Sequence, residues 1–349
     1  MIVDFQHHYT PPELLGKKKG DAVTVRLDEN GNPNYLMNPL LSDLPAHVRM
    51  MDRAGIDAAV LSCGQGFDQP DLATCRFIND NCRQAELDYP GRFIGLAHVP
   101  TLKPEEAAAE LKRCAVDLGF PGVVIASELQ GLTLDAPELR PFWKSVADLG
   151  LYVFVHPLPR VINWPQVYKD DLGRMLGWEF SLMVAVVRLI NSRLLDDLPT
   201  LNIQWAHYAA GAARYLTRIN AFQQRERLAT ANVPNHNRRP LKPFEHYFEH
   251  RFYYDCAGWS GHEHAGQWGS EWVRIGLQEV ALPRVVFATD YPQAVSEDEH
   301  VADYVAAVRA IGPNARAMLD GMNAEKLIPN LRDRLGKRPG RRPAEVPPD

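Results

Sequence analysis

Four side chains able to hold a divalent metal or move a proton lie far apart in the chain. Each stands at or just after the end of a short β-branched or apolar run: His8 after IVDFQ, His156 in YVFVH, His207 after NIQWA and Asp290 after RVVFAT. Imidazole nitrogen and carboxylate oxygen are the donor types that bind zinc and other first-row divalent ions. One histidine at a strand end is more often a satisfied structural residue, whereas four such groups point to a shared site if the fold brings the strand ends together. His8, His156 and Asp290 are the expected ligands. His207 is open to three roles: ligation, proton transfer or holding a substrate carboxylate.

The elements that must position them are read from periodicity. Eight candidate strands fall at 2–6, 58–62, 93–99, 122–126, 152–156, 202–206, 252–256 and 284–289, separated by stretches of helical spacing such as PEEAAAELKRCAVDLG, where Gly119 supplies a stop. Repeated βα units of that number predict an α/β fold, a closed parallel (β/α)8 TIM barrel, whose active site gathers at the C-terminal ends of the strands. A doubly wound open sheet calls for a glycine-rich turn after the first strand, and HHYTPP follows Gln6 instead. One barrel domain is expected over 1–334, with lid-like insertions at about 10–45 and 223–250. A Pro- and Arg-rich tail or arm follows at 335–349.

Composition limits the alternatives. The 349 residues carry 38 Lys+Arg against 43 Asp+Glu, a net charge of −5, with 46% hydrophobic and 9% aromatic residues. That balance supports a packed core and argues against nucleic acid as a partner, because phosphate neutralisation needs clustered cations. No apolar run reaches bilayer length and no secretory pattern opens the chain, so a cytoplasmic protein without a membrane partner is expected. Five cysteines without a metal-binding or redox spacing read as buried reduced thiols.

Taken in order, VDFQHHYTPP, GVVIASELQG with FVHP, WAHYAAG, YYDCAG and VFATDYP resemble the amidohydrolase-related family that includes aminocarboxymuconate-semialdehyde decarboxylase and resorcylate-type decarboxylases. The resemblance runs from Ile2 to about Asn323. It implies a metal held by a His-x-His pair on strand one, a histidine on strand five and an aspartate on strand eight, with a histidine on strand six assisting. His8, His156 and Asp290 match the ligands, Asp290 with a second part as base, and His207 matches the assisting acid/base. Gln6 stands where the first ligating histidine is expected, which makes it a weaker candidate ligand. His7 is expected to face away, since alternate strand residues share a face. The family's His-x-Gly-Gly is here His207-Tyr208-Ala209-Ala210, a second departure.

Further candidates carry less weight. Asp255 is expected to orient His207 or bind substrate, and Arg160 to pair with a substrate carboxylate. Glu128, His262 and His264 are read chiefly as structural or solvated, and Trp205 and Trp259 as packing. Two functions follow. The first is a metal-dependent decarboxylase or hydrolase of a small carboxylic acid, using zinc or another divalent metal such as iron or manganese, in a homo-oligomer. The second is a ligand-depleted, zinc-bearing subunit in a hetero-oligomer with a related barrel chain, an oxygenase of the aminoisobutyrate hydroxylase type.

Overall fold

The computed structural model describes residues 1–15, 24–27, 33–158, 165–229, 240–259 and 264–336. Eight parallel strands form the centre: β1 (Val3–His8), β2 (Ala58–Ser62), β3 (Phe93–Gly95), β4 (Gly122–Ala126), β5 (Tyr152–His156), β6 (Asn202–Trp205), β7 (Phe252–Asp255) and β8 (Val285–Val286). Pairing runs β1-β2-β3 in one sheet and β4-β5-β6-β7-β8 in a second. Short backbone contacts join the two at both seams. Ala97 N donates to Gly122 O at 2.9 Å and Val124 N to Ala97 O at 3.0 Å. On the other side Phe5 N donates to Phe287 O at 2.9 Å, Asp290 N to Gln6 O at 2.9 Å and His8 N to Tyr291 O at 2.8 Å. The result is the expected closed (β/α)8 barrel.

Helices wrap it because the segments between strands carry caps and stops. After β1, α1 (Leu44–Ala54) begins where Asp43 accepts from Ala46 N at 3.0 Å and ends at Gly55, whose φ of 75° closes the last turn. α2 (Leu72–Asp88) starts on Asp71, which accepts from Thr74 N at 2.8 Å. The remaining crossovers are α3 (Pro104–Val116), α4 (Arg140–Asp148), α5 (Trp178–Asn191), α6 (Leu216–Ala229), α7 (Ala265–Glu279) and α8 (Asp298–Ile311). With helices outside and side chains inside, β2, β4 and β5 are buried at every residue, which is why they read as continuous apolar runs.

Two strand boundaries differ from expectation in ways that matter. β1 continues through His8 instead of stopping at Gln6, and its register against β2 shifts between Asp4 and His7. The added residue turns His7 toward Asp4 and α1, and leaves Gln6 and His8 at the mouth. β8 pairs over two residues only, because beyond Val286 the chain bonds to β1 at isolated points. Of the expected insertions, the first contains a hairpin of Thr24–Leu27 with Pro33–Met37, and the second contains part of α6 and a helix at Phe244–His250. Residues 230–239 of the second insertion and 337–349 of the tail lie outside the described residues. Among the described residues no helix is long and apolar enough to cross a membrane. The five cysteines are free and buried, as expected.

Candidate active site

The closing of β8 onto β1 sets the first contact of the site. Asp290 hangs on the backbone of Gln6, and its Oδ1 accepts from His8 Nε2 at 2.7 Å. His156, the last residue of β5, completes a cluster: one ligand atom from each of His8, His156 and Asp290 lies within 4.8 Å of the others. Metal bonds of about 2.0–2.2 Å at tetrahedral angles set ligand atoms about 3.3–3.6 Å apart, so the three groups are gathered around one point and draw in by about an ångström at most to grip an ion. The 2.7 Å contact is a hydrogen bond whose proton an ion would replace. Both imidazoles are braced from behind. His156 Nδ1 donates to Pro157 O at 3.1 Å, and His8 Nδ1 lies 3.1 Å from Ser62 Oγ. Such outer contacts fix the tautomer and leave the other nitrogen free for a metal.

The electrostatics follow from burial and neighbours. Burial, with His8 adding to it, pushes His156 well below the usual imidazole range and keeps it neutral, the form that ligates. Burial acts against ionised Asp290, but the hydrogen bond and charge of His8, with His207 and His156 behind, hold its carboxyl below the usual carboxylate range. Phe67 stacks at a tilt against His156 with ring centroids 4.5 Å apart, and Trp178 approaches it edge-on at 6.1 Å. The wall around the cluster is aromatic.

His207 sits beside this cluster, its ring 6.3 Å from that of His156. It begins a left-handed turn: φ is 55° at His207, 53° at Tyr208, 54° at Ala209, 55° at Ala210 and 67° at Gly211. Only glycine adopts this region without strain, and strain of this kind collects at functional sites. Two features hold the turn. Asp255 Oδ1 accepts from His207 N at 3.0 Å and from Ala257 N at 3.2 Å. Gly258 lets the chain pass, since a Cβ there would lie 2.7 Å from His207 Cβ and Cγ. The His207 side chain meets Glu179 Oε1 through Nδ1 at 2.6 Å and Gln6 Nε2 through Nε2 at 3.3 Å. Burial alone would lower its pKa, but the Glu179 carboxylate outweighs burial and raises it to about 9.

The fates of the expected residues differ. Gln6 is fully buried at the mouth, its amide nitrogen faces His207 Nε2, and its Oε1, the atom able to ligate, is buried with no hydrogen-bond partner among the described residues. Asp255 is fully buried with both oxygens engaged, Oδ2 accepting from Gln204 Nε2 at 2.9 Å. One of those oxygens holds the backbone N of His207, the contact that the orienting alternative calls for. Burial raises its pKa to about 6 against the pull of His207. Arg160 and His262 lie outside the described residues. His264 is exposed at the start of α7, and Glu128 is buried in a two-residue strand away from the cluster. Trp205 packs on Phe252 and Trp259 on Tyr304. Sequence reasoning missed Glu179. An acidic residue in the first turn of a helix is ordinary complement to the helix dipole, so no local signal marks it. It missed Asp4 and His47 too, which join His7 in a buried chain: His7 Nδ1 donates to Asp4 Oδ2 at 2.9 Å and its Nε2 lies 3.0 Å from His47 Nδ1.

A barrel with two imidazoles and a carboxylate gathered at the ends of β1, β5 and β8 defines a metal-site barrel of the hydrolase and lyase type, and the chain belongs to the amidohydrolase family, whose model matches residues 3–329. Among its relatives, gamma-resorcylate decarboxylase of Rhizobium sp. is 28% identical over 93% of this chain and 97% of that protein. The same enzyme of Rhodococcus jostii is 27% identical over 93% of this chain and 98% of its own length. Of solved structures, 2,6-dihydroxybenzoate decarboxylase from Rhizobium superposes with a TM-score of 0.70 at 25% identity, covering 93% of this chain and 98% of that one. The 5-carboxyvanillate decarboxylase of Novosphingobium aromaticivorans, complexed with manganese and 4-hydroxy-3-methoxy-5-nitrobenzoic acid, gives 0.75 at 24% identity, covering 94% of this chain and 95% of that one. These relatives are decarboxylases of small aromatic acids. The oxygenase-subunit reading finds no support among them.

Proposed function

We propose that this chain is a divalent-metal-dependent decarboxylase of a small aromatic carboxylic acid, with His8, His156 and Asp290 as the metal ligands and His207 as the proton-transfer group. The carrying observation is the 4.8 Å cluster of ligand atoms at three strand ends, in a chain that matches gamma-resorcylate decarboxylase over nearly its whole length. Two nitrogens and one carboxylate oxygen suit zinc, manganese or iron. The Gln6 amide nitrogen is taken by His207, which leaves its Oε1 as a fourth candidate donor, and further coordination positions stay open. When bound, the ion supplies an electrophile for the substrate's carboxylate and any neighbouring oxygen.

The remaining chemistry belongs to the side chains. Loss of CO2 breaks a carbon–carbon bond and leaves its electron pair on the ring carbon, which must then take a proton. His207 carries that proton, because its Nδ1 is held on Glu179 and its Nε2 is the nitrogen turned to the mouth beside Gln6. Asp290, ionised and close to the same point, is the alternative donor only after it has itself been protonated by substrate. Phe67 and Trp178 exclude water and offer flat apolar surfaces for a ring.

The test uses purified protein with its metal content measured per chain and a panel of hydroxylated benzoic acids, followed by CO2 release. Activity should disappear on chelation and return with zinc or manganese. His156→Ala should lose the stoichiometric metal, and His207→Gln should keep the metal while turning over on the order of 100-fold more slowly. A chain that holds no metal at stoichiometric levels, or a His207→Gln protein with undiminished turnover, would overturn the reading.

A further inference from the structure

Glu179 is the second residue of α5, and its side chain crosses from that helix to the strained turn after β6. Its Oε1 takes the contact with His207 Nδ1, and its Oε2 is buried without a hydrogen-bond partner among the described residues. An ionised carboxylate can only accept. A hydrogen is therefore pinned on Nδ1, and the opposite nitrogen, Nε2, is left as the one that can exchange a proton with a bound molecule. Nε2 points at Gln6, whose amide presents a donor on one end and an acceptor on the other and so fits this nitrogen with or without its hydrogen. Gly258 packs against the His207 Cβ and Cγ, and the backbone N of His207 is tied to Asp255. The ring is thus fixed at its base by β7 and at its rim by α5 and β1.

We propose that Glu179 is the positioning residue of His207: it fixes the tautomer and the ring orientation that direct Nε2 into the site. This deepens the proposed function and rests on its assignment of His207 to proton transfer. The competing account is a tether, in which the pair merely ties α5 to the turn after β6. The two differ in what they affect. A tether acts on folding and leaves the chemistry of folded molecules alone, whereas a positioning residue acts on kcat with substrate binding preserved.

Glu179→Gln keeps the size and still offers an amide oxygen to Nδ1, but removes the charge and introduces a competing donor. It should lower kcat on the order of 100-fold with KM little changed. Glu179→Asp, which keeps the carboxylate on a shorter arm, should recover part of that loss. A second readout needs no substrate. Proton NMR of the protein should show a far-downfield imidazole N–H resonance that is absent in His207→Gln and displaced upfield in Glu179→Gln. Wild-type kcat in Glu179→Gln, or a wild-type spectrum lacking that resonance, overturns the proposal. So does a fall in thermal stability with kcat per folded molecule intact. Failure of the whole acid panel would remove the decarboxylase reading while leaving the spectroscopic result standing, so the two failures are distinguishable.

Discussion

An amide at position 6 and an imidazole at position 8 face one mouth: His8 lies in the cluster with His156 and Asp290, and the Gln6 amide nitrogen meets His207. The charge state of His207 is a measurable consequence of its surroundings. Its folded pKa of about 9 lies above the unfolded value of about 6.5. The stability it confers is therefore full below about pH 6.5 and is lost as pH rises through about 9. His98, buried beside Asn79 and Cys63, behaves oppositely: burial lowers it to about 3. Its contribution is full above about pH 6.5 and disappears as pH falls toward 3. Asp255, raised to about 6 chiefly by burial, gives up stability as pH rises from the ordinary carboxylate value through 6, which flattens the acid side. The metal-free protein should thus be most stable near pH 6.5. Urea unfolding between about pH 6.5 and 9 should show a decline of about 3 kcal/mol at most, most of which His207→Gln removes, while the buried thiols, whose pKa values burial raises, add their own loss only above about pH 9. An unchanged alkaline slope in that variant would show that the Glu179 pair is not ionised in the folded state.

At the scale of elements, the turn after β6 is where local preference and global fold conflict. Four consecutive residues other than glycine hold φ near 55° there, at a cost of about 1–2 kcal/mol each. Ala210 is the member whose side chain contributes least, since it is partly exposed while His207, Tyr208 and Ala209 are buried. Ala210→Gly should relieve more strain than it adds in unfolded-chain entropy, a net gain of about 0.5–1 kcal/mol, read as a Tm higher by about 1–3 °C. A lower Tm would mean that the Ala210 methyl packs better than its exposure implies. The altered WAHYAAG segment is legible in the sequence as a departure, but its handedness is not, because a left-handed turn of alanines has no propensity signature and is imposed by Asp255 and Gly258 from another strand. The strands themselves are legible wherever both faces are buried, as in β2, β4 and β5. β8 is overread, because RVVFAT keeps a strand's composition beyond Val286 while only isolated bonds to β1 continue the pairing.

Across the whole molecule, what the sequence shows and what it hides divide by distance. His8, His156 and Asp290 are legible because each stands at the end of its own strand and the barrel brings those ends together. Glu179 and Asp4 are not, since their partners are fixed by packing between elements. Asp4 illustrates the point at the seam that closes the barrel. Fully buried, it accepts from Thr289 N at 2.9 Å, from Thr289 Oγ1 at 2.5 Å and from His7 Nδ1 at 2.9 Å, and Gln6 N reaches it at 3.3 Å. One carboxylate thus clamps the residue before Asp290 to the bulge that aims Gln6 and His8, so the integrity of the barrel and the shape of the ligand cluster depend on the same atoms. Asp4→Ala would leave the Thr289 N–H and the His7 Nδ1–H buried without their acceptor, at a cost of about 3–5 kcal/mol. Asp4→Asn, which keeps one acceptor and sets an N–H where Thr289 Oγ1 or His7 Nδ1 donates, should cost less. Both should weaken metal binding along with stability, and titration of the metal-free variants with zinc should show the affinity falling in the order wild type, Asp4→Asn, Asp4→Ala. If stability falls while zinc affinity stays at the wild-type value, the seam and the ligand cluster are mechanically independent, and the positions of His8 and Asp290 must be set by the strands alone.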